Sequence, residues 1–112
     1  VRSKYGAKKT VIDGIKFDSK VEAQYYTHFL KEKQSGLIKS FELQPEFVIF
    51  DGFIDRDGKK HRSIKYRADF LLVYPDGSQD VVDVKGMKTP VYQMKKKMFL
   101  QRYPQYRFVE VT

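Results

Sequence analysis

A chain of 112 residues, 13.3 kDa and net charge +8 is the size of one domain, large enough to bury a core without disulfides or a structural metal. The absence of cysteine excludes thiol nucleophiles, disulfide frameworks and thiolate zinc sites. No stretch approaches the roughly eighteen apolar residues that a bilayer-spanning helix needs, and the first residues lack the apolar segment of a signal peptide, so the expectation is a cytoplasmic protein with no membrane partner.

Residues 1–17 are basic and mixed in character, and the Asp13-Gly14 turn signal leads to an N-terminal arm followed by an extended piece at Val11 to Phe17. Residues 18–112 then form a single domain. Ser19-Lys20-Val21-Glu22 spells a capping box, and Val21, Tyr25, His28 and Phe29 recur at helical spacing until Gly36, which predicts a first helix over 19–35. Leu37 to Leu43 and Glu46 to Phe53 read as extended, with Pro45 marking a bend because it cannot donate to a ladder. Gln44, beside that proline, reads as a turn residue. The Asp55-Arg56-Asp57-Gly58 turn reverses the chain into a long strand over His61 to Tyr74, and Pro75-Asp76-Gly77-Ser78 turns it again into a strand over 79–85. Pro90 opens a second helix over 90–102, in which Val91, Met94 and Met98 repeat at i, i+3, i+7 and, with Phe99 and Leu100, are expected to be core. Tyr106 to Thr112 alternates as a last strand, returning beside the preceding one by a crossover over helix two. The fold class is α+β, with a mixed central sheet flanked by helices.

Charge is unevenly placed along the chain. From Lys85 to Arg107 there are seven basic residues and no acid, against 15 basic and 14 acidic elsewhere, a local field suited to a polyanion such as nucleic acid. In the strand Val81-Val82-Asp83-Val84-Lys85, Asp83 and Lys85 share one face while Val82 and Val84 share the other. Asp69 lies in the preceding strand. With Asp76-Gly77 at the tip, Asp69 falls opposite Val84, and one bulged residue brings it beside Asp83. Two carboxylates, supplemented by the Val84 carbonyl and waters, suit a hard divalent cation, Mg²⁺ with Mn²⁺ as a substitute, and Lys85 would then offset charge on an attacked phosphate. The histidines, His28 and His61, have no ligand spacing, and no organic cofactor is indicated.

Ala68-Asp69, thirteen further residues and Asp83-Val84-Lys85 resemble the PD-(D/E)XK nuclease motif, with Ala where the pattern often has Pro. The element order resembles that superfamily's αβββαβ, restriction-endonuclease-like core. Tyr66 to Phe70, Asp83 to Gly86 and Tyr92 to Phe99 are further similar to segments of a small phage and prophage family of unknown function. The resemblance implies metal-dependent DNA cleavage inside a bacterial host, with Asp69 and Asp83 as ligands and Lys85 as the catalytic lysine. Glu22 occupies the place of an additional helix-one glutamate and is either a fourth catalytic, metal-binding residue or the partner of Ser19 in the cap. Lys88, Tyr92, Lys95, Lys96 and Lys97 would follow the DNA backbone. A chain barely larger than the catalytic core suits structure-selective cutting of branched DNA, resolvase-like, by a homodimer. The competing reading is a non-catalytic nucleic-acid-binding module that keeps the basic helix and uses Asp83 and Lys85 only structurally.

Overall fold

The computed structural model describes residues 9–112, so the first part of the basic N-terminal arm lies outside the described residues. The chain begins with a hairpin, β1 (Thr10–Ile12) against β2 (Ile15–Phe17), whose Asp13-Gly14 turn matches the right-handed twist of paired strands. Phe17 is buried and Ile12 and Ile15 pack beside it, so this hairpin closes over the domain's core. Helix α1 (Lys20–Ser35) starts at Ser19, whose Oγ accepts the Glu22 N–H at 3.1 Å, and ends at Gly36, after which the Leu37 N–H returns to the Glu32 carbonyl at 3.0 Å.

Two strands follow, β3 (Ser40–Leu43) and β4 (Glu46–Phe50), then a short tip hairpin of β5 (Phe53–Ile54) and β6 (Lys60–His61). The chain returns through β7 (Ile64–Arg67), β8 (Phe70–Val73) and β9 (Gln79–Val84), crosses over through α2 (Pro90–Arg102) and finishes in β10 (Arg107–Val111). The central sheet has the order β10-β9-β8-β3, with β10 parallel to β9 and the other pairs antiparallel, which makes the protein a mixed α+β fold. Alternate residues of β8 and β9 feed two cores. Phe70, Leu72 and Val82 meet Ala23, Tyr26 and Phe29 of α1, whereas Val81 and Ala68 join Tyr92 and Phe99 of α2, with Phe47, Ile49 and Tyr66. A helix therefore covers each face of the sheet.

The long strand expected over His61 to Tyr74 is divided among β6, β7 and β8, and the break between β7 and β8 shapes the sheet. Leu43 pairs with Phe70 and Glu46 with Arg67, so two residues on each side, Gln44-Pro45 and Ala68-Asp69, separate two lengths of one ribbon without any change of register. Pro45 has no N–H to give and Gln44 sits at φ 50°, in keeping with a turn position, so the ladder bends here. The bend divides a single ribbon between the central sheet and a projecting arm.

Helix α2 has the expected limits but a different buried face. Its inner residues are Tyr92 and Phe99, followed by Tyr103 in the same aromatic cluster, whereas Val91, Met94 and Leu100 are exposed and Met98 only borders the core. The apolar i, i+3, i+7 pattern marks the outer side. Ring packing decides the matter, because Phe99 meets Phe47, Tyr66, Tyr103, Tyr106 and Phe108 at centroid distances of 4.9 to 6.1 Å.

Candidate active site

The hairpin between β8 and β9 sets the site. Tyr74 N–H bonds the Ser78 carbonyl at 2.9 Å and Gly77 N–H returns to the Tyr74 carbonyl at 2.9 Å, which closes a three-residue loop with Gly77 at φ 89°. That conformation supplies the one-residue bulge that a two-residue turn lacks. Pairing then runs Val73 to Gln79 through Phe70 to Val82, and the next step sets Asp69 against Asp83.

Asp69 is held from three directions. Its N–H donates to the Val82 carbonyl at 3.1 Å, its carbonyl accepts from Gln44 N–H at 3.0 Å, and its Oδ2 accepts the Val84 N–H at 2.6 Å, where a backbone carbonyl would stand if the ladder continued. Asp83 is fully buried at 0% exposure. The Tyr66 hydroxyl donates to its Oδ2, and Lys85 Nζ lies 3.2 Å from its Oδ1, an atom that accepts no hydrogen bond among the described residues. The Lys85 ammonium also sits 4.7 Å from the centre of the Tyr92 ring.

Electrostatic strain accompanies this packing. Burial raises the Asp69 carboxyl to about 7, with the Asp83 and Glu22 charges pushing the same way against the Val84 N–H. Burial also raises Glu22, helped by Asp18 and Asp83 and opposed by Lys85 and Arg67. Tyr66 is held well above its ordinary value, by burial first and then by the charge of Asp83. Three carboxylates thus share the field of one close ammonium. A groove of about 810 Å³ opens onto Glu22, Asp69, Val84, Lys85, Thr89 and Tyr92. The Ser19 Oγ caps the helix, and Glu22 lines the groove.

Of the residues expected to meet DNA, three are engaged elsewhere. Tyr92 Oη donates to Glu110 Oε2 at 2.6 Å, Lys96 Nζ donates to Oε1 at 2.8 Å, and Lys88 Nζ lies 3.5 Å from the same oxygen. These contacts hold the Glu110 carboxyl down to about 2, while burial first and then the bond to Glu110 raise the Tyr92 hydroxyl. Lys95 and Lys97 make no ion pair among the described residues. Glu110 carries no sequence signal on its own, since it is one acid in an alternating strand. Its position follows from the parallel register that sets it beside Asp83.

A protein-family model described as a protein of unknown function (DUF1064) matches residues 2–112. The chain belongs to the DUF1064 family. No curated protein and no solved structure matches this DUF1064 chain. Among its described residues no three or more His, Cys, Asp or Glu side chains form a ready metal cluster. The acidic pair nonetheless has the chemistry of a hard-cation site: every donor is oxygen, Asp83 Oδ1 accepts no hydrogen bond among the described residues beside its ion pair with Lys85, and Mg²⁺ asks for only one or two carboxylates because it keeps several waters. The donor set fits such an ion.

Proposed function

We propose that this DUF1064 protein is a Mg²⁺-dependent DNA endonuclease with a PD-(D/E)XK-type site on a restriction-endonuclease-like core. The observation that carries this reading is the juxtaposition of Asp69 and Asp83 across one strand pair, with Lys85 against Asp83 at the wall of an open groove. Asp69 and Asp83 would hold the ion, with the Val84 carbonyl and Glu22 as further oxygen donors. A bound divalent cation supplies a lowered pKa for water and charge neutralisation at phosphate.

The chain's own residues do the rest. Tyr66 and the Val84 N–H fix the two carboxylates, so neither must be ordered when substrate arrives. Lys85, whose side chain is 30% exposed, presents a positive charge to the groove and stabilises negative charge developing on a phosphate held there. The Tyr92 ring, 4.7 Å from the ammonium, and the Asp83 carboxylate, 3.2 Å from it, hold Lys85 at the groove wall. Branched DNA is the proposed substrate and a homodimer, with one such site for each strand, the proposed assembly.

The test is incubation of the full chain with branched and linear DNA, in Mg²⁺ or in EDTA. Wild type cuts only with metal, and Asp83→Ala and Lys85→Ala each reduce the rate at least about 100-fold, the scale of losing one transition-state charge partner. A calorimetric titration with Ca²⁺ or Mn²⁺ adds a readout free of catalysis, in which binding is lost in folded Asp69→Ala. Cutting that persists in both mutants overturns the reading. DNA binding indifferent to metal, without cutting, assigns the chain to the non-catalytic class.

A further inference from the structure

Folding moves the free positive charge of this protein. Along the sequence it lies between Lys85 and Arg107, yet acids from four other places come to meet that segment: Asp83 pairs with Lys85, Glu110 with Lys88 and Lys96, Asp51 with Arg102, and Asp80 with Arg107. Five of its seven cations are thereby engaged. The ribbon that leaves the central sheet at Ala68 behaves in the opposite way. Arg56, Lys59, Lys60, Arg62, Lys65 and Arg67 fall within twelve residues, and among the described residues none of them makes an ion pair.

The acids of this ribbon offset only part of that charge. Asp51 is taken by Arg102 at 2.9 Å, and Asp55 accepts the Asp57 and Lys59 N–H groups at 2.9 and 3.0 Å and lies 2.8 Å from His61 Nε2. Hydrogen bonding leaves Asp55 charged, so Glu46, Asp55 and Asp57 stand against six cations and the ribbon keeps an excess of three positive charges. The ribbon tip is also apolar where solvent reaches it: Phe53 is 48% exposed, with one ring face stacked on His61 at 4.6 Å, and Ile54 is 64% exposed. No residue from Phe50 to Ser63 belongs to either core. The radius of gyration, 16.3 Å, exceeds the roughly 13 Å of a compact chain of this length, as a projecting arm requires.

We infer that the β-ribbon centred on β5 and β6 is an arm that grips duplex DNA, its cations on phosphates and its Phe53-Ile54 tip against the groove floor. This deepens the proposed function, on which it rests for the identity of the polyanion. A two-stranded ribbon is of a size that the roughly 12 Å major groove of B-form DNA admits. The arm is also joined to the acidic site, because Arg67, at its base, stands two residues before Asp69 in the chain. A duplex on the arm would thus have its backbone led toward the groove. Charge selects this occupant over a second copy of the chain, since two arms of like sign would repel.

The experiment measures binding of a fluorescent 20-base-pair duplex by the full-length protein in EDTA, where no cutting contributes, across a series of salt concentrations. Lys60→Ala/Arg62→Ala/Lys65→Ala is compared with Lys95→Ala/Lys97→Ala, circular dichroism confirming that both are folded. The arm variant weakens binding about tenfold or more near 100 mM salt and flattens the logarithmic salt slope by about two to three, as expected for three lost phosphate contacts. The α2 variant loses less. Wild-type affinity in the arm variant, a larger loss in the α2 variant, or an altered sedimentation coefficient with DNA affinity unchanged each overturns the arm as the DNA grip. Asp83→Ala separates the two claims: if the nuclease reading fails, its cutting is unaffected while the EDTA binding result still stands on its own.

Discussion

Asp69 and Glu110 are carboxylates two strands apart in the same sheet, and their surroundings drive them in opposite directions. An unfolded aspartate titrates near 3.9, so in metal-free protein the folded chain, with Asp69 at about 7, binds more protons than the unfolded chain between those values. Stability therefore falls as pH rises through that window and stays low above it. Asp69→Asn lacks the penalty: in EDTA at pH 8 its urea unfolding free energy exceeds wild type by about 1–2 kcal/mol, a figure discounted for water in the groove, and the gap closes below pH 4. A gap independent of pH would show that Asp69 carries no buried-charge penalty. Glu110, at about 2, has the reverse sign. Its stabilisation is complete above an unfolded value near 4.3 and is lost as pH falls toward 2, so Glu110→Gln costs about 1 kcal/mol at pH 7 and little at pH 2. Equal costs at both pH values would mean that the Lys96 and Tyr92 contacts act on shape rather than charge.

At the scale of elements, what could be read from sequence depended on whether a single chain segment determined the contact. The Asp69 and Asp83 neighbourhood was legible because one hairpin joins them, and turn chemistry fixed their register to within one residue. The remaining residue comes from Gly77 at φ 89°, and Gly77→Ala costs about 1 kcal/mol for placing a Cβ in the left-handed region, with no clash to add because nothing lies within 4 Å. Thermal unfolding of that variant measures it. Helix α2 was legible in its start, from Pro90, but not in its rotation. Phe99 was expected in the core and is there, but apolar spacing also favoured Val91 and Met94, whereas the core took Tyr92, an aromatic ring with more surface to bury, and aromatic partners arrive from β4, β7 and β10. Two substitutions read out the rotation in a denaturation experiment. Phe99→Ala costs about 3–5 kcal/mol as a large core deletion, and Met94→Lys changes stability by no more than about 0.5 kcal/mol. The reverse ranking would return the helix to the face its periodicity suggests.

Across the whole molecule, the division of labour is between a core that fixes the acidic pair and a ribbon tip, residues 51–63, that contributes nothing to that core. The two apolar clusters include Ile49 and Ile64 at the ribbon's base and no residue between Phe50 and Ser63, and Phe50 pairs with Ile64 across the strands. A chain in which residues 51–63 are replaced by Asn-Gly would close the β4–β7 ribbon at that pair with a turn suited to its twist. It loses one exposed ion pair, Arg102 with Asp51, worth no more than about 1 kcal/mol, which for a domain of this size moves Tm by about 5 °C or less. Because Asp69, Asp83, Lys85 and Glu22 all lie outside the deleted stretch, the metal titration expected of wild type is retained. Binding to the duplex in EDTA falls with the removed arm cations, by the same tenfold or greater factor as the point variants. Calorimetric melting, metal titration and duplex binding on one sample decide the matter together: a melt lowered by more than about 10 °C would show that the ribbon supports the core, and unchanged duplex affinity would place the DNA grip elsewhere on the molecule.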